Sequence, residues 1–229
     1  MKFIAGAITI GQSPRVDLVP EIIEMTDEKI KFIEKGALDG LTSSEIEKLS
    51  PHKGKTTLVT RLKDGTQVKV NKNDIEAKVQ EKIGQLEAEN VDLIVLLCSG
   101  SFEKLYSKVP LVFPNGLLLG TLKALNLPNK LGFLVPAETQ VRSAMEEFEG
   151  VGISPVGFGA SPYGINSEIQ QAAKKLAKED LDIVALHCIG YSKKMKKEVY
   201  KITRKPVLLV RSVLARFLNE IATPSQEIA

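Results

Sequence analysis

The segment VDLIVLLCSG, residues 91–100, decides the fold, because ninety residues later the chain reads LDIVALHCIG, residues 181–190. Both are apolar runs with an Asp near the start and Cys-x-Gly at the end. This pattern is typical of a parallel strand buried on both faces. Ligands of open α/β sheets bind beyond the carboxyl ends of such strands. We therefore expect the chain's two cysteines, Cys98 and Cys188, to face a ligand across a cleft.

The composition is that of a soluble, folded chain. Its 229 residues are 43% hydrophobic and 26% charged, with a net charge of +3. This length allows two lobes of about 100 residues each, and the internal repeat favours two. The small net charge gives no reason to expect a nucleic-acid partner, and no apolar run approaches the roughly 18 residues of a membrane span. We predict a cytoplasmic protein without a membrane partner, in which the cysteines are thiols.

Alternating strand and helix signals predict an α/β fold with two similar Rossmann-like lobes, each with a mostly parallel sheet. We expect residues 1–114 with 208–229 to form the first lobe and residues 115–207 the second. Asp64-Gly65 between two β-rich runs predicts a β-hairpin insertion in the first lobe, at about residues 56–71. The carboxyl end of the first strand is followed by Ser13 and Pro14, which suit the N-cap and first position of a helix.

The two strand-end thiols suggest acid and base chemistry. A thiolate is a nucleophile and a proton acceptor, and two thiols on opposite faces of one carbon could remove and return a proton. Gly100 and Gly190 would let the backbone turn tightly, and the following N–H groups could bind an anion. The alternative is that both cysteines are small, buried apolar residues.

Polar residues after other strands are candidates for binding a carboxylate. Arg15 offers a planar fork of donors, and Gln12 and Ser13 could add hydrogen bonds. The alternative is a helix cap with a solvated arginine. Thr139 and Glu138 hold the matching place in the second lobe.

The two histidines indicate neither a metal site nor a dyad. His187 precedes Cys188, but successive strand side chains point to opposite faces, so we expect a packed or surface histidine. His52 lies in a predicted loop. The dispersed histidines and cysteines lack metal-ligand spacing, and no phosphate-binding or dinucleotide motif is found, so we expect no cofactor. The basic run at 193–205 is typical of a solvated helix face.

These strand-end cysteines resemble those of the aspartate/glutamate/hydantoin racemase superfamily, and more closely the AroM family. The AroM resemblance rests on the opening Ile8-Thr9-Ile10-Gly11, the hairpin-bearing first lobe, and the Asp182, Cys188 and Gly190 pattern. It implies an Asp/Glu racemase-like fold in which each lobe donates one catalytic cysteine, a small carboxylate ligand and a homodimer. The polar residues that usually follow the superfamily's cysteines are replaced by Ser99-Gly100-Ser101 and Ile189-Gly190-Tyr191. The resemblance therefore supports the fold more strongly than it supports any particular substrate.

Three functions stay open at this point. The first is a cofactor-independent isomerase or racemase that acts next to the carboxylate of a small acid, with Cys98 and Cys188 as acid and base. The second is a decarboxylase or cis-trans isomerase that needs Cys188 alone. The third is a protein that binds or senses a small anion without turnover. In each, the predicted substrate-binding residues follow the strands: Gln12, Ser13, Arg15, Ser99, Gly100, Ser101, Thr139, Gly190 and Tyr191.

Overall fold

A computed structural model describes residues 2–27, 29–51, 56–102 and 104–222. The chain divides into two compact units, one comprising Met1–Phe113 with Ala215–Ala229 and the other Pro114–Leu214. Strands and helices alternate along most of each unit, apart from two pairs of consecutive strands in the first. The strands are β1 (Phe3–Thr9), β2 (Ile30–Gly36), β3 (Thr57–Arg61), β4 (Gln67–Asn71), β5 (Leu93–Leu96), β6 (Leu111–Val112), β7 (Lys130–Val135), β8 (Pro155–Gly159), β9 (Leu181–Leu186) and β10 (Val207–Leu209). The helices are α1 (Val19–Met25), α2 (Ser43–Lys48), α3 (Lys72–Glu87), α4 (Pro114–Lys123), α5 (Val141–Glu149), α6 (Asn166–Leu176), α7 (Lys193–Thr203) and α8 (Val210–Ala222), with a short 3-10 helix at Glu138–Gln140.

Each unit is built on a four-stranded parallel sheet. The order is β2-β1-β5-β6 in the first unit and β10-β9-β7-β8 in the second. The two cysteine-bearing segments therefore follow β5 and β9, interior strands of their sheets, and every residue of β5 is buried. The predicted α/β class with mostly parallel sheets is confirmed. A strand made of consecutive Val, Ile and Leu residues has no polar face to turn to solvent. Such strands are therefore found in parallel sheets with helices on both faces.

Close packing of helix on sheet explains one glycine of β1. A Cβ atom at Gly6 would lie 2.8 Å from Cδ1 of Leu86 on α3. Leu86 is fully buried, as are Ile75, Val79 and Ile83 on the same face of α3. The spacing of these four residues is the helical periodicity that the sequence showed.

The predicted hairpin is also confirmed. β3 and β4 pair antiparallel from Thr57 opposite Asn71 to Arg61 opposite Gln67. Gly65 in the turn has φ of 93°, a conformation that only glycine adopts without strain. Thr42 caps the start of α2 through reciprocal hydrogen bonds between Thr42 and Glu45.

The helix after β1 begins later than predicted. It starts at Val19, so Ser13 and Pro14 are not its cap and first residue. Both the N–H and the hydroxyl of Ser13 donate to the carboxylate of Asp39, at 2.8 and 2.6 Å. This long-range contact holds the segment after β1 in an irregular conformation, and its local helix signal is overridden. His52 lies outside the described residues.

Candidate functional site

The two thiols occupy equivalent positions, each two residues beyond its strand. The residue before each cysteine is still paired with the neighbouring strand: Leu97 N–H donates to Ile8 at 2.7 Å, and His187 N–H donates to Leu134 at 2.9 Å. Cys98 is 9% exposed and Cys188 is 7% exposed, and neither forms a disulfide. Both thiols therefore lie at the carboxyl edges of their sheets, close to the surface but mostly covered.

Each sulfur accepts a hydrogen bond from the glycine two residues later. The N–H of Gly100 donates to Sγ of Cys98 at 3.3 Å, and the N–H of Gly190 donates to Sγ of Cys188 at 3.4 Å. A donor aimed at sulfur favours the thiolate over the thiol. The repeated Cys-x-Gly is thus a repeated local structure, in which a backbone amide faces the sulfur.

Gly190 lies in a tight turn, as predicted, because the N–H of Tyr191 donates to the Cys188 carbonyl at 3.2 Å, but backbone conformation is not what calls for glycine at positions 100 and 190. Neither has the positive φ of Gly40, Gly65 and Gly152, so a tight left-handed turn does not explain them. Close neighbours do: a Cβ at Gly100 would lie 3.0 Å from Cδ2 of Leu58, and one at Gly190 would lie 2.5 Å from the hydroxyl of Tyr163.

Ser99 contributes an unsatisfied hydroxyl next to Cys98. The side chain is 9% exposed, and its Oγ has no hydrogen-bond partner in the described part of the chain. A buried hydroxyl without a partner is costly. Ser99 Oγ is thus available to a ligand oxygen, while Ser101 is half-buried two residues further on.

The loop after β1 reaches the same sheet edge, because β1 and β5 are parallel neighbours. Its Gln12 is engaged by the hairpin: Gln12 N–H donates to the Arg61 carbonyl at 3.3 Å, and Gln12 Oε1 accepts from Lys63 N–H at 3.0 Å. A Cβ at Gly11 would lie 2.3 Å from the Arg61 carbonyl oxygen. The hairpin therefore packs directly on the strand-end loops, a role that its sequence did not indicate.

Arg15 is buried, at 3% exposure, and directs its fork at Asp17. Nε and Nη2 each donate to a carboxylate oxygen of Asp17 at 2.8 Å, and Nη1 donates to Thr9 Oγ1 at 3.0 Å. Burial alone would raise the pKa of Asp17, but the hydrogen bonds and charge of Arg15 outweigh it and lower that pKa. Binding of a substrate carboxylate by Arg15, which stays a prediction, requires displacement of Asp17.

A second carboxylate backs this loop. Glu34 accepts the N–H of Arg15 at 2.6 Å. Burial raises the pKa of Glu34; the Arg15 N–H and charge oppose this, whereas the charges of Asp17 and Asp39 add to it. The edge of the first sheet thus carries three acidic side chains, Asp17, Glu34 and Asp39. Asp17 pairs with the buried guanidinium of Arg15, and the other two bind backbone N–H groups of the same loop.

The turn that carries Cys188 is held by a buried arginine that sequence reasoning missed. Arg211 is 1% exposed, and its Nε and Nη2 donate to the carbonyls of Ile189 and Gly190 at 2.9 and 3.0 Å. A signal was present, because Arg211 lies two residues beyond the last strand, the same offset at which Cys98 and Cys188 follow their strands. The cation lies next to the thiol turn and, like the turn's N–H, favours the thiolate.

Tyr191 and Thr139, both predicted to bind substrate, lie at the edge of the second sheet in different surroundings. Tyr191 is fully buried and donates its hydroxyl to the Ala160 carbonyl at 2.6 Å. Burial, followed by the charges of Cys188, Tyr163 and Glu168, raises the pKa of Tyr191 well above its usual range. Thr139 is exposed in the 3-10 helix after β7.

His187 is a packed histidine, as predicted. It is 6% exposed, lies 5.3 Å from the Phe148 ring, and pairs through Nε2 with Oδ1 of Asn115 at 2.7 Å. Asn115 in turn donates to Glu147 at 2.8 Å, so its Oδ1 accepts and His187 Nε2 carries the hydrogen. Burial lowers the pKa of His187, and the charge of Glu147 partly offsets this.

Two features are absent from the described residues. Within the described ranges, no cluster of three or more His, Cys, Asp or Glu side chains has the arrangement that a metal ion requires. Over the same residues, no helix combines the length and apolar character needed to cross a bilayer.

The chain was compared with known proteins. The sequence model of a family described as AroM protein matches residues 5–222. Among curated proteins, none matches. Solved structures that the chain resembles include an aspartate racemase from Picrophilus torridus (17% identity, TM-score 0.64, covering 96% of this chain and 94% of that one). The maleate isomerase Iso from Pseudomonas putida S16 gives 12% identity and a TM-score of 0.64, with 97% and 94% coverage. An unliganded arylmalonate decarboxylase gives 12% identity and a TM-score of 0.60, covering 97% of this chain and 94% of that one. At these identities the likeness establishes an Asp/Glu racemase-like fold.

Proposed function

The chain belongs to the AroM family, and on that premise we propose that it is a cofactor-independent enzyme of the racemase and isomerase type. Its substrate is a small acid, and the reaction moves a proton at the carbon next to the carboxylate. Cys98 and Cys188 act as base and acid. One thiolate removes the proton, and the other residue, as a thiol, returns one.

One observation carries this proposal: the matched hydrogen bonds from Gly100 and Gly190 to the two sulfurs, at 3.3 and 3.4 Å. Packing alone gives no reason for two cysteines at the same place in two units each to receive a backbone donor. A two-base reaction does give a reason, because each sulfur must exist as a thiolate in one direction of the reaction. The structural relatives, an aspartate racemase, a maleate isomerase and an arylmalonate decarboxylase, support the same reaction class.

The substrate carboxylate would bind at the residues that follow the strands. In the first unit these are Ser99, Gly100 and Ser101, with Ser99 Oγ as the buried hydroxyl that a carboxylate oxygen would satisfy. Three further residues lie at that edge: Gln12, Ser13 and Arg15. Arg15 would bind the carboxylate only after displacement of Asp17. In the second unit the edge comprises Gly190, Tyr191 and Thr139. The matching small acid remains to be found by screening.

The test is deuterium incorporation. The protein is incubated in D₂O with 2-amino acids, 2-hydroxy acids and short dicarboxylates, and loss of the α-proton signal is followed by NMR. Wild type should exchange at least one acid, whereas Cys98→Ala and Cys188→Ala should each lose the interconversion of its stereoisomers. Ser143→Ala, at an exposed position of α5, is the control and should keep full activity. Interconversion of the stereoisomers that persists in both cysteine variants would remove the thiols from the mechanism.

A single-thiol reaction, decarboxylation or cis-trans isomerisation, is favoured by one difference between the units. The Cys188 turn is bound by the buried cation of Arg211, which makes Cys188 the better candidate for a nucleophile or lone acid. This reading predicts that Cys98→Ala keeps turnover of a dicarboxylate and that Cys188→Ala loses it. The same panel of acids, followed for loss of CO₂ or for change of double-bond geometry, separates the two reactions.

A further inference from the structure

Tyr163, in the loop after β8, lies directly over the turn that carries the second thiol. A Cβ at Gly190 would lie 2.5 Å from the Tyr163 hydroxyl oxygen and 2.7 Å from Cζ, closer than real Cβ atoms come to other heavy atoms. The N–H of that same Gly190 donates to the Cys188 sulfur at 3.4 Å. The phenol hydroxyl and the thiol therefore flank one residue, within reach of one small molecule.

The loop that presents Tyr163 is fixed at several points. The N–H of Tyr163 donates to Ser161 Oγ at 3.1 Å, and the N–H of Ser161 donates to Glu168 at 3.4 Å. One residue earlier, the Ala160 carbonyl accepts the hydroxyl of Tyr191 at 2.6 Å. These bonds tie the loop to α6 on one side and to the cysteine turn on the other. The position of the phenol is thus set by the fold before any ligand arrives.

Two tyrosines lie near Cys188, and they differ in burial and in position. Tyr191 is fully buried and uses its hydroxyl on the Ala160 carbonyl. Tyr163 is half-buried, and its hydroxyl lies against the Gly190 turn at the carboxyl edge of the sheet. A phenol O–H at such an edge is a donor suited to an anionic oxygen, and bonds to ionised acceptors are roughly twice as strong as neutral ones.

We propose that Tyr163 contacts the substrate at the Cys188 half of the site, where its hydroxyl donates a hydrogen bond to a carboxylate oxygen of the small acid. The inference rests on the proposed function, because it takes Cys188 as the group that exchanges the proton. It adds a specificity residue that lies outside both Cys-x-Gly segments. Gly190 then has two functions: its N–H supports the sulfur, and its missing side chain makes room for the phenol.

Iodoacetate and iodoacetamide test the proposal without knowledge of the substrate. Both alkylate thiolates, but iodoacetate carries a carboxylate next to the reacting carbon. The rate of modification of each cysteine is measured by mass spectrometry of peptides, and the ratio of the iodoacetate rate to the iodoacetamide rate cancels differences in thiolate fraction. In wild type, the ratio at Cys188 should exceed that of glutathione in the same buffer.

The variant Tyr163→Phe keeps the ring over Gly190 and removes only the hydroxyl. It should lower the Cys188 ratio about tenfold, with the Cys98 ratio unchanged in the same sample. Tyr163→Gln, which restores a donor, should recover part of the ratio and guards against a folding defect in the first variant. Tyr200→Phe, at a 51% exposed position of α7, is the matched control and should leave both ratios unchanged.

The outcomes separate this inference from the function on which it rests. A wild-type Cys188 ratio above that of glutathione, unchanged in Tyr163→Phe, overturns the role of Tyr163 and leaves the thiol site standing. A wild-type ratio no higher than that of glutathione, or a Cys188 that neither reagent modifies, overturns the anion-binding thiol site itself, and the role of Tyr163 with it.

Discussion

Nη2 of Arg211 donates a hydrogen bond to the carbonyl of Gly190 at 3.0 Å, which joins the start of α8 to the turn that carries the second thiol. Nε of the same side chain binds the Ile189 carbonyl. Two carbonyls of a three-residue Cys-x-Gly turn are therefore held by one buried cation. The position of the Cys188 sulfur depends on a residue more than twenty positions away.

Replacement of Arg211 by Met should destabilise the protein and slow the chemistry of Cys188. The loss leaves two buried carbonyl acceptors without their donor, which costs about 1–3 kcal/mol in the free energy of unfolding. Alkylation of Cys188 by iodoacetamide at pH 7 should also slow, because a nearby cation favours the thiolate. Urea unfolding and peptide mass spectrometry measure the two effects.

Arg211→Lys is the matched variant, since it keeps the charge but not the fork. It should restore most of the alkylation rate and only part of the stability. Cys98, in the other unit, serves as an internal reference. An alkylation rate of Cys188 that is equal in Met, Lys and wild-type proteins would show that the cation has no effect on the thiol.

Gly190→Ala should destabilise the protein through a clash with the ring of Tyr163. The new Cβ would lie within 3 Å of Tyr163 and of Pro162 Cγ, and overpacking of this kind costs about 1–3 kcal/mol. The cost should fall in a Tyr163→Ala background, because the ring that causes it is gone. Thermal or urea unfolding of the four proteins in this double-mutant cycle gives the coupling energy.

Gly120→Ala provides the control for that cycle. Gly120 lies within α4, and nothing is found within 4 Å of the position of its Cβ. The substitution should stabilise the protein by about 0.5–1 kcal/mol, because alanine favours a helix more than glycine does. Equal effects of Gly190→Ala with and without Tyr163 would contradict the close approach.

Asp17→Asn should destabilise the protein near neutral pH and lose this effect in acid. The lowered pKa of Asp17 means that, just below its ordinary value of 3.8, the unfolded chain binds more protons than the folded one. The stability from the Arg15 pair is therefore complete above about pH 4 and is lost as pH falls through the folded-state pKa. We expect a deficit of about 1–3 kcal/mol at pH 7, less than for a fully buried pair because the Asp17 side chain is 17% exposed.

The control for Asp17 is an ion pair on the surface. Arg142 and Glu146 pair along α5 with side chains that are 91% and 62% exposed, so Glu146→Gln should change the free energy of unfolding by less than about 0.5 kcal/mol. Urea unfolding from pH 3 to pH 7 compares the variants. A deficit of Asp17→Asn that is the same at every pH would show that its ionisation does not stabilise the fold.

Local patterns predicted the framework well. The two cysteine strands and the hairpin around Asp64-Gly65 lie within a few residues of where the sequence placed them. Apolar runs, turn residues and a 3.6-residue period are properties of short segments, which the fold leaves intact. The family resemblance drawn from the same strands is confirmed over residues 5–222.

The predictions that failed, and the contacts that the sequence did not reveal, involve segments that are distant along the chain. The helix signal at Ser13 and Pro14 was locally sound, yet Asp39, 26 residues later, binds Ser13 and prevents it. Gly190 lies in a turn, as predicted, but the sequence did not reveal that Tyr163 fills the space a side chain would need there. The residues next to Ser13 and Gly190 in the sequence do not indicate that Asp39 and Tyr163 contact them.

The sequence by itself determined that this chain has two strands of one kind, each delivering a cysteine to a sheet edge, because burial on both faces demands an unbroken apolar run. Only the tertiary structure decided which groups surround each sulfur. Tyr163 and Arg211 reach the Cys188 turn from segments that are distant in sequence, and their positions are fixed by packing across the whole unit rather than by any neighbour along the chain.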